Sequence, residues 1–102
     1  INYWFKKLNI EKLISNHGGI NKYLNMSLNN FSGGETKILA FLRTVLKDKE
    51  IEIYDEPTAF MDDKTSSLLR DIIIERKKNK IIIVATHDNL LIKEADKVFN
   101  MN

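Results

Sequence analysis

Two adjacent glycines stand before a helix-forming stretch, in the sequence Ser32-Gly33-Gly34-Glu35. Glycine has no side chain to keep a ligand away from the backbone, and the amides and dipole at the start of a helix attract negative charge. This arrangement predicts a bound phosphate group. The structural alternative is a capping box, in which the Ser32 hydroxyl accepts from the Glu35 amide and the Glu35 carboxylate accepts from the Ser32 amide.

Two carboxylates and a histidine follow two apolar segments further along the chain. Asp55 and Glu56 come directly after residues 51–54, and His87 follows residues 81–85. Ligand crevices of open α/β sheets lie at the carboxyl ends of parallel strands. An Asp directed at Mg²⁺, beside a Glu able to take a proton from water, suits metal-assisted hydrolysis of a phosphoanhydride. The alternative is an ordinary pair of strand ends with a structural histidine, but the matching position of His87 favours function.

These residues need alternating helices and strands to position them. The apolar stripe over residues 38–46 predicts a helix, and residues 51–54 predict a strand. Residues 81–85 form a continuous β-branched run, which is typical of a parallel strand covered on both faces. Asp62 or Asp63 is expected to cap a helix between the two strands. The sequence therefore predicts an α/β fold with parallel neighbouring strands joined by that helix.

Shorter elements are predicted towards both ends of the chain. Apolar spacing from Phe5 to Ile14 predicts a helix, Asp88 is expected to cap a short helix that reaches Ala95, and Val98-Phe99 is expected to begin a last strand. Glu52 is unusual inside an apolar strand. It predicts either that one face of this strand is less buried than expected or that Glu52 has a polar partner.

Composition narrows the functional classes. The chain has 102 residues, a net charge of +2 and no cysteine. The small, dispersed charge gives no reason to expect a nucleic-acid partner. Without cysteine there is no disulfide or thiolate chemistry, which favours a cytosolic setting. The sequence also has no apolar run long enough for a membrane-spanning helix.

The combination of motifs resembles the ATP-binding cassette (ABC) ATPases, the nucleotide-binding domains of ABC transporters. Residues 31–35 resemble the signature motif, residues 51–58 the Walker B motif, residues 59–62 the D-loop, and His87 the switch histidine. Their order and separations also fit the family. The resemblance implies an incomplete P-loop NTPase fold: residues 31–102 would be the C-terminal part of the ATPase core, and residues 1–30 the end of a helical subdomain.

The resemblance also implies a role for each matching residue. Asp55 is expected to hold Mg²⁺ through water, Glu56 to polarise the attacking water, and His87 to contact the γ-phosphate of ATP. A second nucleotide-binding domain, paired head to tail, is expected to hold most of the ATP that the signature motif and the D-loop contact. The residues of this chain expected to act at the nucleotide held by the second domain are Ser32, Gly33, Gly34, Glu35 and Asp62. Transmembrane transporter domains are the other implied partners, which places the ATPase in the cytoplasm at the inner face of the cell membrane.

Some family features are missing from these 102 residues. The chain contains no Walker A loop with its lysine, no Gln-containing loop and no upstream aromatic platform for adenine. We therefore expect the chain alone neither to hydrolyse ATP nor to bind it tightly, and to self-associate through an exposed apolar seam. Two alternatives stay open. One is an ATPase of the chromosome-maintenance and DNA-repair group, which often has Glu at the position of Glu35, although no heptad array precedes Phe31. The other is a non-catalytic interaction domain.

Overall fold

The computed structural model describes residues 3, 6 and 33–101, and Tyr3 and Lys6 both have helical backbone. The rest of the helix predicted from Phe5 to Ile14 lies outside the described residues. So do Ser32 and the predicted boundary after residue 30. The chain divides into two compact units, residues 1–48 and residues 49–102.

The main described element of the first unit is helix α1, Gly33–Lys47. Its start at the glycine pair and its apolar stripe confirm the predicted helix. Phe41, Leu42 and Val45 are buried, whereas Leu46 is 44% exposed, so one side of the helix is apolar and covered. The helix ends at Lys47. The next residue, Asp48, donates its amide to the Val45 carbonyl and has a positive φ of 48°, which terminates the helical conformation.

The second unit is built on a strand–helix–strand arrangement. Strand β1 (Ile51–Asp55) and strand β2 (Ile81–Ala85) pair in parallel, with Ile53 opposite Ile83, and helix α2 (Asp63–Arg76) connects them. This confirms the predicted parallel neighbours and their connecting helix. Leu69, Ile72 and Ile73 of α2 are buried and form most of the apolar core of this unit together with Tyr54 and Leu91.

The two faces of this sheet differ in burial. Side chains alternate along a strand, so Glu52 and Tyr54 share one face of β1 and are both buried. The opposite face presents four isoleucines that are between 53% and 67% exposed, Ile51, Ile53, Ile81 and Ile83. The prediction that residues 81–85 are covered on both faces is therefore wrong for this structure. A run of β-branched residues indicates a strand, but it does not indicate whether a second layer packs on the sheet.

The chain after β2 forms a short helix and then an extended segment. Helix α3 (Asn89–Glu94) has Asp88 as its N-cap and Ala95 as its C-cap, as predicted. The strand predicted at Val98 is wrong, because residues 95–101 contain no strand and Val98 and Phe99 are 58% and 78% exposed. Among the described residues, no helix is long and apolar enough to cross a membrane.

Candidate active site

Glu56 and His87 meet at the carboxyl ends of the two parallel strands. The Glu56 amide bonds the Ala85 carbonyl at 2.7 Å, which continues the strand pairing one residue past β1. Glu56 Oε1 then lies 2.7 Å from His87 Nδ1, and the His87 amide donates to Glu56 Oε2 at 3.4 Å. An ionised carboxylate has only acceptor atoms, so the proton of the shorter contact lies on Nδ1. The two residues singled out for chemistry are thus side by side.

The backbone of Glu56 has an unusual conformation. Its φ is 46°, in the left-handed region that non-glycine residues rarely occupy. The turn is held by the Glu56 carbonyl, which accepts from the Ala59 amide at 3.2 Å. Strained backbone of this kind concentrates at functional sites and persists only where surrounding contacts enforce it. The side chain of Glu56 is 34% exposed and that of His87 is 96% exposed, so both are open to a ligand.

Asp55 is the remaining predicted residue at this edge of the sheet. It is exposed and lies on the same face of β1 as Ile51 and Ile53. In the described residues 3, 6 and 33–101, no group of three or more acidic or histidine side chains is placed to hold a metal ion. Mg²⁺ in nucleotide sites usually takes one or two protein carboxylates and completes its shell with water and phosphate oxygens. A single exposed carboxylate at a strand end fits that kind of site.

Asp88 is the centre of a hydrogen-bond network beside Glu56 and His87. Its Oδ2 accepts from Thr58 Oγ1 at 2.7 Å and from Arg70 Nη1 at 2.9 Å, and its Oδ1 accepts from the Leu90 amide at 3.0 Å. The Asp88 amide in turn donates to Thr86 Oγ1 at 2.9 Å. Burial acts to raise the pKa of Asp88, but the bonds from Thr58 and Arg70 outweigh it and hold this pKa below its ordinary value.

Sequence reasoning identified Asp88 only as a helix cap and did not connect it with Thr58 or Arg70. Capping is a local signal, because the Leu90 amide that Asp88 accepts from is two residues away. Thr58 and Arg70 are 30 and 18 residues away, and no spacing rule relates them to Asp88. The one hint in the sequence was that Thr58 lies two residues after Glu56, within residues 51–58.

The other predicted residues occupy two helix starts. Asp62 is the N-cap of α2, where its side chain accepts from the Thr65 amide at 2.7 Å, and this bond is the main cause that lowers the pKa of Asp62. Gly33, Gly34 and Glu35 form the first turn of α1 and belong to the other compact unit. Because Ser32 lies outside the described residues, the capping box and the phosphate-binding interpretation both stay predictions.

Glu52 has the polar partner that the sequence left open. It is 1% exposed, accepts from Arg76 Nε at 2.8 Å, and also accepts from Arg76 Nη2 and from the Tyr54 hydroxyl. Burial acts to raise the pKa of Glu52, but the bonds from Arg76 and Tyr54 and the Arg76 charge lower it overall. The pKa of Tyr54 lies well above its ordinary value. Burial is the largest cause, and the hydrogen bond to Glu52 is the second. The face of β1 that carries Glu52 is therefore buried around a paired carboxylate. The less buried face of this strand is the opposite one, which carries Ile51 and Ile53, so both alternatives describe part of the structure.

No family model matches the chain. It is 32% identical over 82 residues to the glutathione/L-cysteine transport system ATP-binding/permease protein CydC of Escherichia coli, a match that covers 80% of this chain and 14% of that protein. It is 33% identical over 79 residues to the lipoprotein-releasing system ATP-binding protein LolD of Ehrlichia ruminantium, covering 76% of this chain and 35% of that protein.

A third relative is the energy-coupling factor transporter ATP-binding protein EcfA1 of Mycoplasma pneumoniae, 31% identical over 90 residues, which are 87% of this chain and 33% of that protein. The chain thus spans about a third or less of the length of these curated relatives. All three are ATP-binding proteins, two of them of transport systems and one of a lipoprotein-releasing system, and each match covers at least three quarters of the chain. The chain belongs to the ATP-binding proteins of ABC transporters and corresponds to part of their nucleotide-binding domain.

Proposed function

We propose that the chain forms the part of an ABC transporter ATPase that contributes the general base and the switch histidine to ATP hydrolysis, and so powers transport across a membrane. The observation that carries the proposal is the 2.7 Å contact between Glu56 Oε1 and His87 Nδ1 at the carboxyl ends of two parallel strands. The relatives support it, since CydC, LolD and EcfA1 are all ATP-binding proteins of transport or lipoprotein-releasing systems. They favour a transporter over the chromosome-maintenance group and over a non-catalytic domain.

In this proposal the chain's own residues divide the chemistry. Glu56 accepts a proton from the attacking water, whose oxygen forms the new bond to the γ-phosphorus as the bond to the β-phosphate oxygen breaks. His87 directs its Nδ1 proton towards Glu56, and Nε2 would donate to a γ-phosphate oxygen when the ring carries a proton on both nitrogens. Asp55 would hold Mg²⁺ through water. When bound, this ion neutralises charge on the phosphate groups.

The remaining motif residues are proposed to act between subunits. Ser32, Gly33 and Gly34 would bind the γ-phosphate of an ATP held mainly by a second nucleotide-binding domain, with Glu35 beside them. Asp62 would communicate across the head-to-tail interface. We also propose that residues 1–30 end a helical subdomain and residues 31–102 form the C-terminal part of the ATPase core. Transmembrane transporter domains are the proposed partners, and the proposed location is the cytoplasmic face of the cell membrane.

The substitution Glu56→Gln tests the proposed base in the intact protein. Glutamine keeps the shape and hydrogen-bonding reach of the side chain but cannot take a proton, so phosphate release should fall by about 10²-fold or more. Nucleotide affinity, measured by calorimetry, should be retained. Glu75→Gln is the matched control, because Glu75 is an exposed glutamate of α2 whose contact is with Lys78. Undiminished hydrolysis by Glu56→Gln would show that another group acts as the base.

A further inference from the structure

The contact between Glu56 and His87 joins two exposed loops, and exposed pairs hold their geometry weakly. The first loop follows β1 and the second follows β2, and the His87 side chain is 96% exposed. Ion pairs and hydrogen bonds in such exposed positions are worth little, because water competes for both partners. The bond from the Glu56 amide to the Ala85 carbonyl joins the two strand ends, so a further contact is needed to hold the loops beyond them if the Glu56 and His87 side chains are to meet reproducibly.

We propose that Asp88, Thr58 and Arg70 form a positioning network that holds Glu56 and His87 in contact, an inference that rests on the proposed ATPase function. Asp88 directly follows His87, and Thr58 is two residues after Glu56. A single oxygen, Asp88 Oδ2, receives both the Thr58 hydroxyl at 2.7 Å and Arg70 Nη1 at 2.9 Å. The network thus ties the two loops to each other and both of them to α2.

The network is better shielded than the pair it positions. The Arg70 and Asp88 side chains are only 17% and 15% exposed. Charge-assisted hydrogen bonds are stronger than neutral ones, and limited access of water strengthens them further. Arg70 is also the neighbour of Leu69, which is fully buried, so its backbone is fixed by the core.

A second contact anchors the first loop to the same helix. Ser66, which is 6% exposed, donates its hydroxyl hydrogen to the Thr58 carbonyl at 3.3 Å. Thr58 is therefore held to α2 through its main chain as well as through Asp88 and Arg70. Loss of the Thr58 hydroxyl should leave this backbone anchor in place, which makes Thr58 a suitable position for a selective test.

The experiment uses Thr58→Val and Asp88→Asn in the intact protein. Valine keeps the shape of threonine without the hydroxyl, and asparagine caps helices as well as aspartate does, so neither change removes a folding element. We expect kcat to fall about tenfold with KM for ATP unchanged, because misplaced reacting groups slow chemistry without weakening ATP binding. Thr58→Ser, which restores the hydroxyl, should regain most of the activity.

Asp96→Asn is the matched control for the loss of a carboxylate charge. Asp96 pairs with Lys77 at 3.2 Å, at the far end of α2, and is 83% exposed. This variant should keep the activity of the unsubstituted protein. A fall in kcat in the control as large as in Asp88→Asn would overturn the proposal, because the effect would then follow from charge alone.

The imidazole tautomer of His87 provides a readout that does not depend on hydrolysis. The carboxylate of Glu56 holds the proton on Nδ1, so ¹⁵N NMR at a pH where the ring is neutral should find mainly the Nδ1–H form. Thr58→Val and Asp88→Asn should shift the population towards Nε2–H. The chain has two histidines, and His87→Gln identifies the resonance.

The outcomes separate the two proposals. A protein without ATP hydrolysis would overturn the proposed function, whereas the tautomer measurement would still decide the network. In an active protein, unchanged kcat in both variants would overturn the positioning role. An unchanged tautomer in both variants would overturn it whatever the activity of the unsubstituted protein. A lower kcat and a shifted tautomer together, with recovery in Thr58→Ser, would establish it.

Discussion

The substitution Arg76→Met removes one partner of the buried ion pair that links β1 to the end of α2. Glu52, 1% exposed, would lose the bonds from Arg76 Nε and Nη2 and keep the bond from the Tyr54 hydroxyl. Methionine fills much of the space of the arginine stem but supplies no charge and no hydrogen bond. The variant therefore isolates the electrostatic part of the contact, with modest loss of packing.

The expected loss of stability follows from two independent estimates. Arg76 gives two hydrogen bonds to a charged acceptor, each worth about 1.5–3 kcal/mol. Removal of one member of a buried pair, which leaves an uncompensated charge, costs about 3–5 kcal/mol. Both point to a loss of about 3–5 kcal/mol, a large part of the roughly 5–15 kcal/mol that stabilises a small domain.

Urea unfolding at two pH values measures this loss. In the unsubstituted protein the pKa of Glu52 is lower than its ordinary value of 4.5, so the pair stabilises the fold above pH 4.5. That contribution is lost as the pH falls through the lowered pKa. In Arg76→Met, burial would dominate and raise the pKa of Glu52, so protonation would relieve the buried charge. The difference in unfolding free energy should therefore be largest near pH 7. It should shrink as the pH falls through the raised pKa of the variant and then through the lowered pKa of the unsubstituted protein.

The double variant Glu52→Leu/Arg76→Met is the matched control. It replaces the pair with apolar side chains and leaves no buried charge, so it should recover most of the lost stability. A loss of less than about 1 kcal/mol in Arg76→Met at pH 7 would refute the reasoning, because that is the size expected of a solvated surface pair. Failure of the double variant to recover would show that the uncompensated charge of Glu52 is not the main cause of the loss.

Two further predictions concern the core and the exposed sheet face. Leu69→Ala should lower the unfolding free energy by about 2–5 kcal/mol, because Leu69 is 0% exposed, whereas Leu90→Ala should have a small effect because Leu90 is 55% exposed. Equal effects of the two in urea unfolding would contradict the burial argument. The 102-residue chain alone should show no micromolar Mg-ATP binding by calorimetry and should form oligomers in light scattering, which the double variant Ile53→Thr/Ile83→Thr should reduce. Micromolar binding of Mg-ATP by a monomeric chain would contradict this prediction.

Much of the second unit could be predicted from the sequence, because its signals are local. Strand β2 follows from a run of β-branched residues, and the two helix starts follow from Asp62 and Asp88, whose side chains cap amides two or three residues away. The placement of Glu56 and His87 at one edge also followed, since consecutive parallel strands end on the same side of a sheet. Such features depend on few residues and need no knowledge of distant contacts.

The tertiary structure alone decided which distant side chains meet. Glu52 and Arg76 are separated by 24 residues and Arg70 and Asp88 by 18, and charge pattern does not specify such pairs because each charge has many candidate partners. Burial of a strand face likewise depends on what packs against it. The sequence therefore predicts Ile53 and Ile83 as core residues, whereas both are exposed in the structure. Local periodicity fixes the element and its faces, but only three-dimensional packing determines which face is covered and which polar groups find partners.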